Sequence, residues 1–341
     1  MFNKVILHHK IPLVITLLSW AIVGYYLGLE AFFLVIALSI LEITLSADNA
    51  VVNSRVLVKM SQMWQKLFMT VGIFVAVFLI RFALPIVLVA VASQMPIGQV
   101  TDLALNDADE YGKRLHEIAP LINSFGGVFL FMVGTFFFID KTRKHFWIPA
   151  IEQGLSRLAT VPYIKTLVIS SLFILIQLLL PSDMRQVVGI SMFAAIIIYT
   201  FLHSVTILME RFEQKNELKK QVGWVAFASF MYLEVLDASF SLDGVIGAFA
   251  LTNNIIIIMV GLGVGALWVR TLTLHMVKSK TLAHYKYLES GAHWAIVFLS
   301  AIMILELFHI ELAEWFVASV GLICIAASVI GSRKQEHVKK I

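Results

Sequence analysis

Charge and sulfur are both scarce in this chain. Only 14% of its 341 residues are charged and 60% are hydrophobic, with a mean hydropathy of +0.89. That balance excludes a soluble globular fold, whose surface could not be clothed from so few polar side chains. The single cysteine, Cys324, excludes an intrachain disulfide and a thiolate metal cluster, and is left a packing role. The formal net charge is only +4 and no basic domain stands apart from the apolar segments, so nucleic acid is not an expected partner. What remains is a polytopic membrane protein, with the lipid bilayer as its first partner and no soluble domain left over.

Apolar runs close to the roughly 20 residues needed to cross about 30 Å of hydrocarbon recur along the whole length. They predict an all-α fold with ten transmembrane helices, near 11–28, 31–53, 67–92, 120–140, 163–181, 187–209, 224–250, 255–277, 290–308 and 312–331. The first helix follows Lys4 and Lys10 and shows no small-residue cleavage signature before Glu30, so it reads as a retained anchor. With both termini in the cytoplasm, all 26 Lys and Arg fall on the inner side except Lys113, Arg114 and Arg185, outside, and Arg81 and Arg270, within helices. The expected location is a bacterial inner (plasma) membrane. The external segment Ser93–Ala119, with Asp102, Asp107, Asp109 and Glu110, reads as a solvated loop that could attract cations.

Two stretches stand out because they bury acids in apolar segments. Glu42-Ile-Thr-Leu-Ser-Ala-Asp48-Asn and Asp237-Ala-Ser-Phe-Ser-Leu-Asp243-Gly match position by position, pairing Glu42 with Asp237, Thr44 with Ser239, Ser46 with Ser241 and Asp48 with Asp243. The likeness continues downstream, where Gly72 and Arg81 share the spacing of Gly261 and Arg270. Helices two to four therefore pair with seven to nine, and since the helices of each pair are offset by five, an odd number of crossings, the second copy is inverted. The chain reads as one transmembrane domain over 1–341, with repeats at 31–140 and 224–310, a connector at 141–223, and a last helix with a cytoplasmic tail at 311–341. Inverted repeats are a common construction in secondary transporters, whose substrates bind near the midplane.

An ionised carboxylate near the bilayer centre costs about 2.5 to 3.5 kcal/mol on insertion scales. Glu42, Asp48, Asp237, Asp243 and the additional Glu234, one turn before Asp237, therefore need compensation. Protonation, the counter-ions Arg81 and Arg270, or a bound divalent cation would each provide it. Glu42 and Asp48 are six residues apart, about 120° around an ideal helix, so both reach one cavity only if the helix bends. Ser46, Asn49, Asn53, Ser239, Ser241 and Gly244 are residue types that unwind helices and rebond freed backbone groups. The candidate metal ligands are thus Glu42, Asp48, Asn49, Glu234, Asp237, Asp243, Ser46 and Ser241. These hard oxygen donors suit manganese, calcium or magnesium rather than Cu⁺. His203 and His293 are weaker candidates for a ligand or proton relay. Gly261, Gly263 and Gly265 read as helix-packing positions, and Asp140 and Glu306 as interfacial acids.

At the two acidic motifs the chain resembles the TerC family of integral membrane proteins, within the LysE-like transporter superfamily, and in particular its large uncharacterised branch. The resemblance covers roughly 31–310. It implies metal-ion export, manganese above all, with some members named for tellurite resistance, and it carries a cation-site role to Glu42, Asp48, Asn49, Asp237 and Asp243. Glu234, opposite Ser39 in the first copy, and the ten-helix count depart from the shorter members.

The expected function is therefore a proton-coupled divalent-cation exporter working by alternating access, with manganese favoured over calcium. Its partners are the metal ion and protons, no cofactor is expected, and self-association into a homo-oligomer stays open. A non-transporting accessory or stress-resistance protein holding a structural ion is the alternative. No enzyme is expected: an intramembrane aspartyl protease would need Tyr-Asp and Gly-x-Gly-Asp pairings, which are absent.

Overall fold

The computed structural model describes residues 2–213, 221–249, 251–252, 254–310 and 312–338. Within these it omits the side chains of 2–9, 206–213, 242–243, 246, 314–315, 318 and 336–338. The described residues are helical, with no strands and one isolated bridge between Met60 and Gln221. Among the described residues, six helical stretches are long and apolar enough to cross a membrane: Lys10–Leu45, Gln62–Ala92, Ala119–Phe138, Arg185–Val205, Ile255–Lys278 and Leu288–Glu306. Large apolar side chains such as Leu18, Ile22, Phe33 and Leu178 stand exposed, as lipid-facing groups do.

Helix α1 (Phe2–Leu45) contains a break at Gly28, whose φ of 90° and ψ of 177° lie in a region essentially reserved for glycine. This is where the hydropathy pattern separates its first two helices. A second break falls at Ser46, between α1 and α2 (Ala47–Leu57), as the bend argument requires. The matching break in the second motif is absent. Helix α11 (Gly223–Ala248) runs without interruption through Ser239, Ser241 and Gly244, and Ser239 folds back on Val235 O at 2.9 Å, the common resting place of a helical serine.

Between α3 (Gln62–Phe74) and α4 (Leu84–Ala92), residues Val75–Ala83 form a π-helix, which hydropathy cannot reveal. The segment 93–119, expected as a solvated loop, forms two helices instead, α5 (Ile97–Asn106) and α6 (Ala108–Glu117), which bury Val100, Ala104, Tyr111 and Leu115. Asp107 caps α6 through the Glu110 N–H at 3.2 Å. The remaining helices are α7 (Ala119–Phe138), α8 (Pro149–Leu158), α9 (Ile164–Leu179), α10 (Arg185–Glu213), α12 (Ile255–Lys278), α13 (Thr281–His284), α14 (Leu288–Glu306) and α15 (Glu314–Val338). At 1.5 Å per residue α9 is only about 24 Å long, short for the span expected at 163–181.

The chain divides into two compact units. The first comprises Met1–Ser46, Lys59–Ala119 and Lys220–His275, the second Ala47–Val58, Pro120–Lys219 and Met276–Ile341. In the first, α11 packs on the π segment, α3, α1 and α6. Gly261 brings α12 against α1: a Cβ there would meet Leu38 Cβ at 2.5 Å. In the second, α14 packs on α15 and α2, and Gly134 lets α7 approach to where a Cβ would sit 3.2 Å from His293 O. Cys324 is buried and free in α15.

Candidate functional site

Three of the five candidate ligands in the first unit whose side chains are described, Glu42, Glu234 and Asp237, are tied to arginine. Glu42, 2% exposed at the end of α1, accepts hydrogen bonds from Arg81 Nη2 and from Ser46 Oγ at 3.0 Å. Arg81 is presented by the π segment and turns its other terminal nitrogen onto Ala76 O of that segment at 2.9 Å. Gly265 makes room for Glu42, since a Cβ there would lie 2.5 Å from Glu42 Cγ.

Arg270 is more fully engaged. Its guanidinium forks onto Glu234, with Nη1 to Oε1 at 3.0 Å and Nη2 to Oε2 at 2.9 Å, and Nη2 also donates to Asp237 Oδ2 at 3.1 Å. Phe68 O accepts from Nη1 at 3.0 Å, and the Phe68 ring lies 4.2 Å below the guanidinium carbon. Glu234 and Asp237 share a face of α11 because three residues make nearly one turn. The asymmetry noted in the sequence thus has a structural result: Glu234 gives Arg270 a second carboxylate. Its counterpart Ser39 bonds Val35 O at 2.7 Å and Gly261 O at 3.1 Å, tying α1 to α12.

Gly72 is a tight point in this cluster. A Cβ there would overlap the Arg270 guanidinium and lie 2.8 Å from Glu234 Oε1. Gly72→Ala is expected to lower stability by about 1 to 3 kcal/mol through overpacking of a charged pair that cannot retreat into solvent. Thermal unfolding in detergent measures this, with Gly98→Ala, at a position with open space around it, as the control.

Ser241 is buried at 1% exposure, and its Oγ has no partner among the described residues. Asp243 lies in α11, with its side chain outside the described residues.

Asp48 and Asn49 belong to the second unit. Asp48 is 3% exposed and accepts the Asn49 N–H at 2.9 Å, and no Lys or Arg pairs with it among the described residues. Asn49, Asn53 and Ser54 are buried beside it in α2. Asn49 and Asn53 therefore do not unwind the helix, contrary to the role their residue type suggested. Among the described residues no group of three or more His, Cys, Asp or Glu is placed to hold a metal ion.

The secondary candidates make their contacts within the second unit. The buried His293 donates from Nδ1 to Glu289 O at 2.7 Å and stacks on Phe137 with ring centres 3.6 Å apart. His203 stacks on Tyr199. Glu306 accepts from Asn123 Nδ2 at 2.7 Å, joining α7 to α14. Asp140 accepts the Thr142 N–H and hydroxyl. Burial alone would raise its carboxyl, but those bonds and the charges of Lys165 and Arg55 outweigh burial and hold it below the usual carboxylate range.

Sequence reasoning missed Glu152. It is fully buried and accepts from Arg143 Nη2 at 2.5 Å, Trp294 Nε1 at 3.1 Å and the Trp147 and Ile148 N–H groups at 3.2 Å. Arg143 in turn lies 4.4 Å from the Phe137 ring centre. Pro149 opening a helix, with an acid three residues on, was the available signal: a carboxylate in the first turn reaches back to orphan N–H groups.

No curated protein and no solved structure matches the chain. A family model described as a protein of unknown function, DUF475, matches residues 47–339, beginning at the first residue of α2. The chain belongs to this DUF475 family.

Proposed function

We propose that the protein carries a divalent cation out of the cell in exchange for protons, with manganese its first substrate and calcium the alternative, in the manner of the TerC family its motifs resemble. The observation that carries this reading is a charge deficit. Glu42, Glu234 and Asp237 are buried in the first unit, where the guanidinium groups that pair with them are Arg81 and Arg270, and Asp48 is buried in the second with no paired Lys or Arg among the described residues. Carboxylates in excess of guanidinium groups call for protons or a cation in a low-dielectric setting. A divalent ion would compete with Arg81 for Glu42 and with Arg270 for Asp237, and protonation of the same oxygens would release it. In the topology we favour, ten spans carry two three-helix repeats of opposite orientation in a bacterial inner membrane, both termini cytoplasmic, as the placement of Lys and Arg supports.

The test uses the full chain in liposomes loaded with a manganese-sensing dye. An imposed proton gradient is expected to drive Mn²⁺ entry faster than in protein-free liposomes, with Ca²⁺ competing. Folded protein that leaves Mn²⁺ and Ca²⁺ flux at the protein-free rate would remove the exporter reading. It would favour an accessory protein, for which the Arg270 cluster is a purely structural tie.

A further inference from the structure

Within the second unit, helix α8 is strapped to the ends of two spans. Ser156 donates at 2.8 Å to Asp140 O, two residues beyond the span that ends at Phe138. Glu152 accepts from Trp294 of α14, and its ion-pair partner Arg143 also donates at 2.9 Å to Ser290, the third residue of the span that begins at Leu288. These ties hold α8 where hydrocarbon gives way to headgroups. Its ten residues, rising about 1.5 Å each, are too few to cross about 30 Å, so the helix lies at that boundary and does not pass through it.

The side chains of α8 are sorted around its axis. Ile151 and Leu158, 49% and 40% exposed, are seven residues apart and so project within about 20° of each other. The buried Glu152 follows Ile151 by about 100° on one flank, and the exposed Arg157 precedes Leu158 by about 100° on the other. An apolar stripe thus runs between a protein-facing flank and a basic one. Exposed apolar side chains continue past the helix through Val161 and Tyr163 to Leu167 of α9. Tyr163 sits at the corner between the two helices with a left-handed φ of 57°, a strained conformation for so bulky a residue. Its displayed ring has the apolar body and polar tip that suit a headgroup layer.

The charge here is one-sided. Glu152 is the one acid in residues 141–163 and is paired with Arg143, whereas Lys141, Lys144 and Arg157 are exposed. Asp140, just before this stretch, turns to Thr142 and feels the charge of Lys165. We infer that α8 lies in the membrane surface, with Ile151 and Leu158 among the acyl chains and Lys141, Lys144 and Arg157 on the phosphates of anionic lipids. A basic amphipathic helix binds such a surface through its buried apolar area and its charge together. Zwitterionic lipid would cover the stripe but would leave the three cations without counter-charges. The inference is independent of cation transport, since it needs only a bilayer around the spans.

The experiment attaches an NBD fluorophore to the full chain at Ile151→Cys or Gln153→Cys, in a Cys324→Ser background. The protein is reconstituted in liposomes of phosphatidylglycerol and phosphatidylcholine in equal parts. The label at 151 is expected to be quenched by spin-labelled lipid and shielded from aqueous dithionite, and the label at 153, on the polar side, to behave the other way round. At equal mole fraction, spin-labelled phosphatidylglycerol is expected to quench the label at 151 at least about twofold more than spin-labelled phosphatidylcholine. Combining Lys141→Gln, Lys144→Gln and Arg157→Gln is expected to make the two lipids equal. A label at 151 as open to dithionite as that at 153 leaves α8 in water and overturns the inference. One shielded from dithionite and spin-labelled lipid alike puts a second copy or another protein on the stripe and overturns it too. Equal quenching by the two lipids before the charges are removed overturns the assignment of Lys141, Lys144 and Arg157 to anionic headgroups.

Discussion

Arg270→Met is expected to cost about 3 to 5 kcal/mol, enough to remove most folded protein, because it strands two buried carboxylates at once. Glu234 and Asp237 are 4% and 5% exposed and both accept from the same guanidinium. Without it, two like charges face each other in an apolar helix cluster, and Phe68 O loses its donor. Lysine is no substitute, since an ammonium cannot fork onto Glu234 while also reaching Asp237. The triple variant Arg270→Met, Glu234→Gln, Asp237→Asn is expected to recover much of the loss, since it removes the charges along with their partner. Size-exclusion profiles and thermal unfolding in detergent check both statements. An Arg270→Met protein that melts like wild type would show that the cluster is not what holds α11 and α12 together. Arg81→Met is expected to be milder, because Arg81 serves one carboxylate and takes its second bond from its own helix.

Asp48→Asn is expected to do the opposite, abolishing Mn²⁺ flux to the protein-free rate while leaving the melting temperature equal to or above that of wild type. Asparagine keeps the shape and can still accept the Asn49 N–H, the bond Asp48 makes now. What it removes is a buried negative charge that no arginine balances among the described residues. Such a charge is a burden on the fold, and in the proposed exporter it is kept for the cation it would bind. Flux measured in proteoliposomes beside an unfolding curve separates the two effects. Undiminished flux in Asp48→Asn would take Asp48 out of the transport path.

Hydropathy alone located most helices, because a span is a local property of some 20 residues, and it placed the first boundary at Gly28, where the backbone needs a glycine. It also picked out Arg81 and Arg270 as partners for the acids, since two guanidinium groups in apolar segments have few other places to go. The break at Ser46 was legible from the angular separation of Glu42 and Asp48. What was not legible depends on partners distant in the chain. Ser239 and Ser241 carry the same unwinding potential as Ser46, yet α11 stays intact, because Asp237 and Glu234 meet Arg270 from one face of a straight helix. The polar composition of 93–119 suggested solvent, while the burial of Tyr111 and Leu115 comes from neighbours that no local window contains. Glu152 was overlooked for the same reason: three of its donors are within nine residues, but Trp294 comes from α14.

The π-helical stretch Val75–Ala83 changes how this chain should be lined up with its relatives. Gly72 to Arg81 and Gly261 to Arg270 are equal counts of residues, but the first count runs through a widened coil and the second through an ordinary one. Each π residue advances the azimuth by less than the roughly 100° of an α-helix, so equal spacing does not deliver equal direction. Arg81 and Arg270 are therefore homonyms in sequence with different bearings in space. An alignment that scores them as equivalent columns would hide the difference, whereas a relative with one residue fewer between its glycine and arginine could restore the common bearing with an ordinary helix.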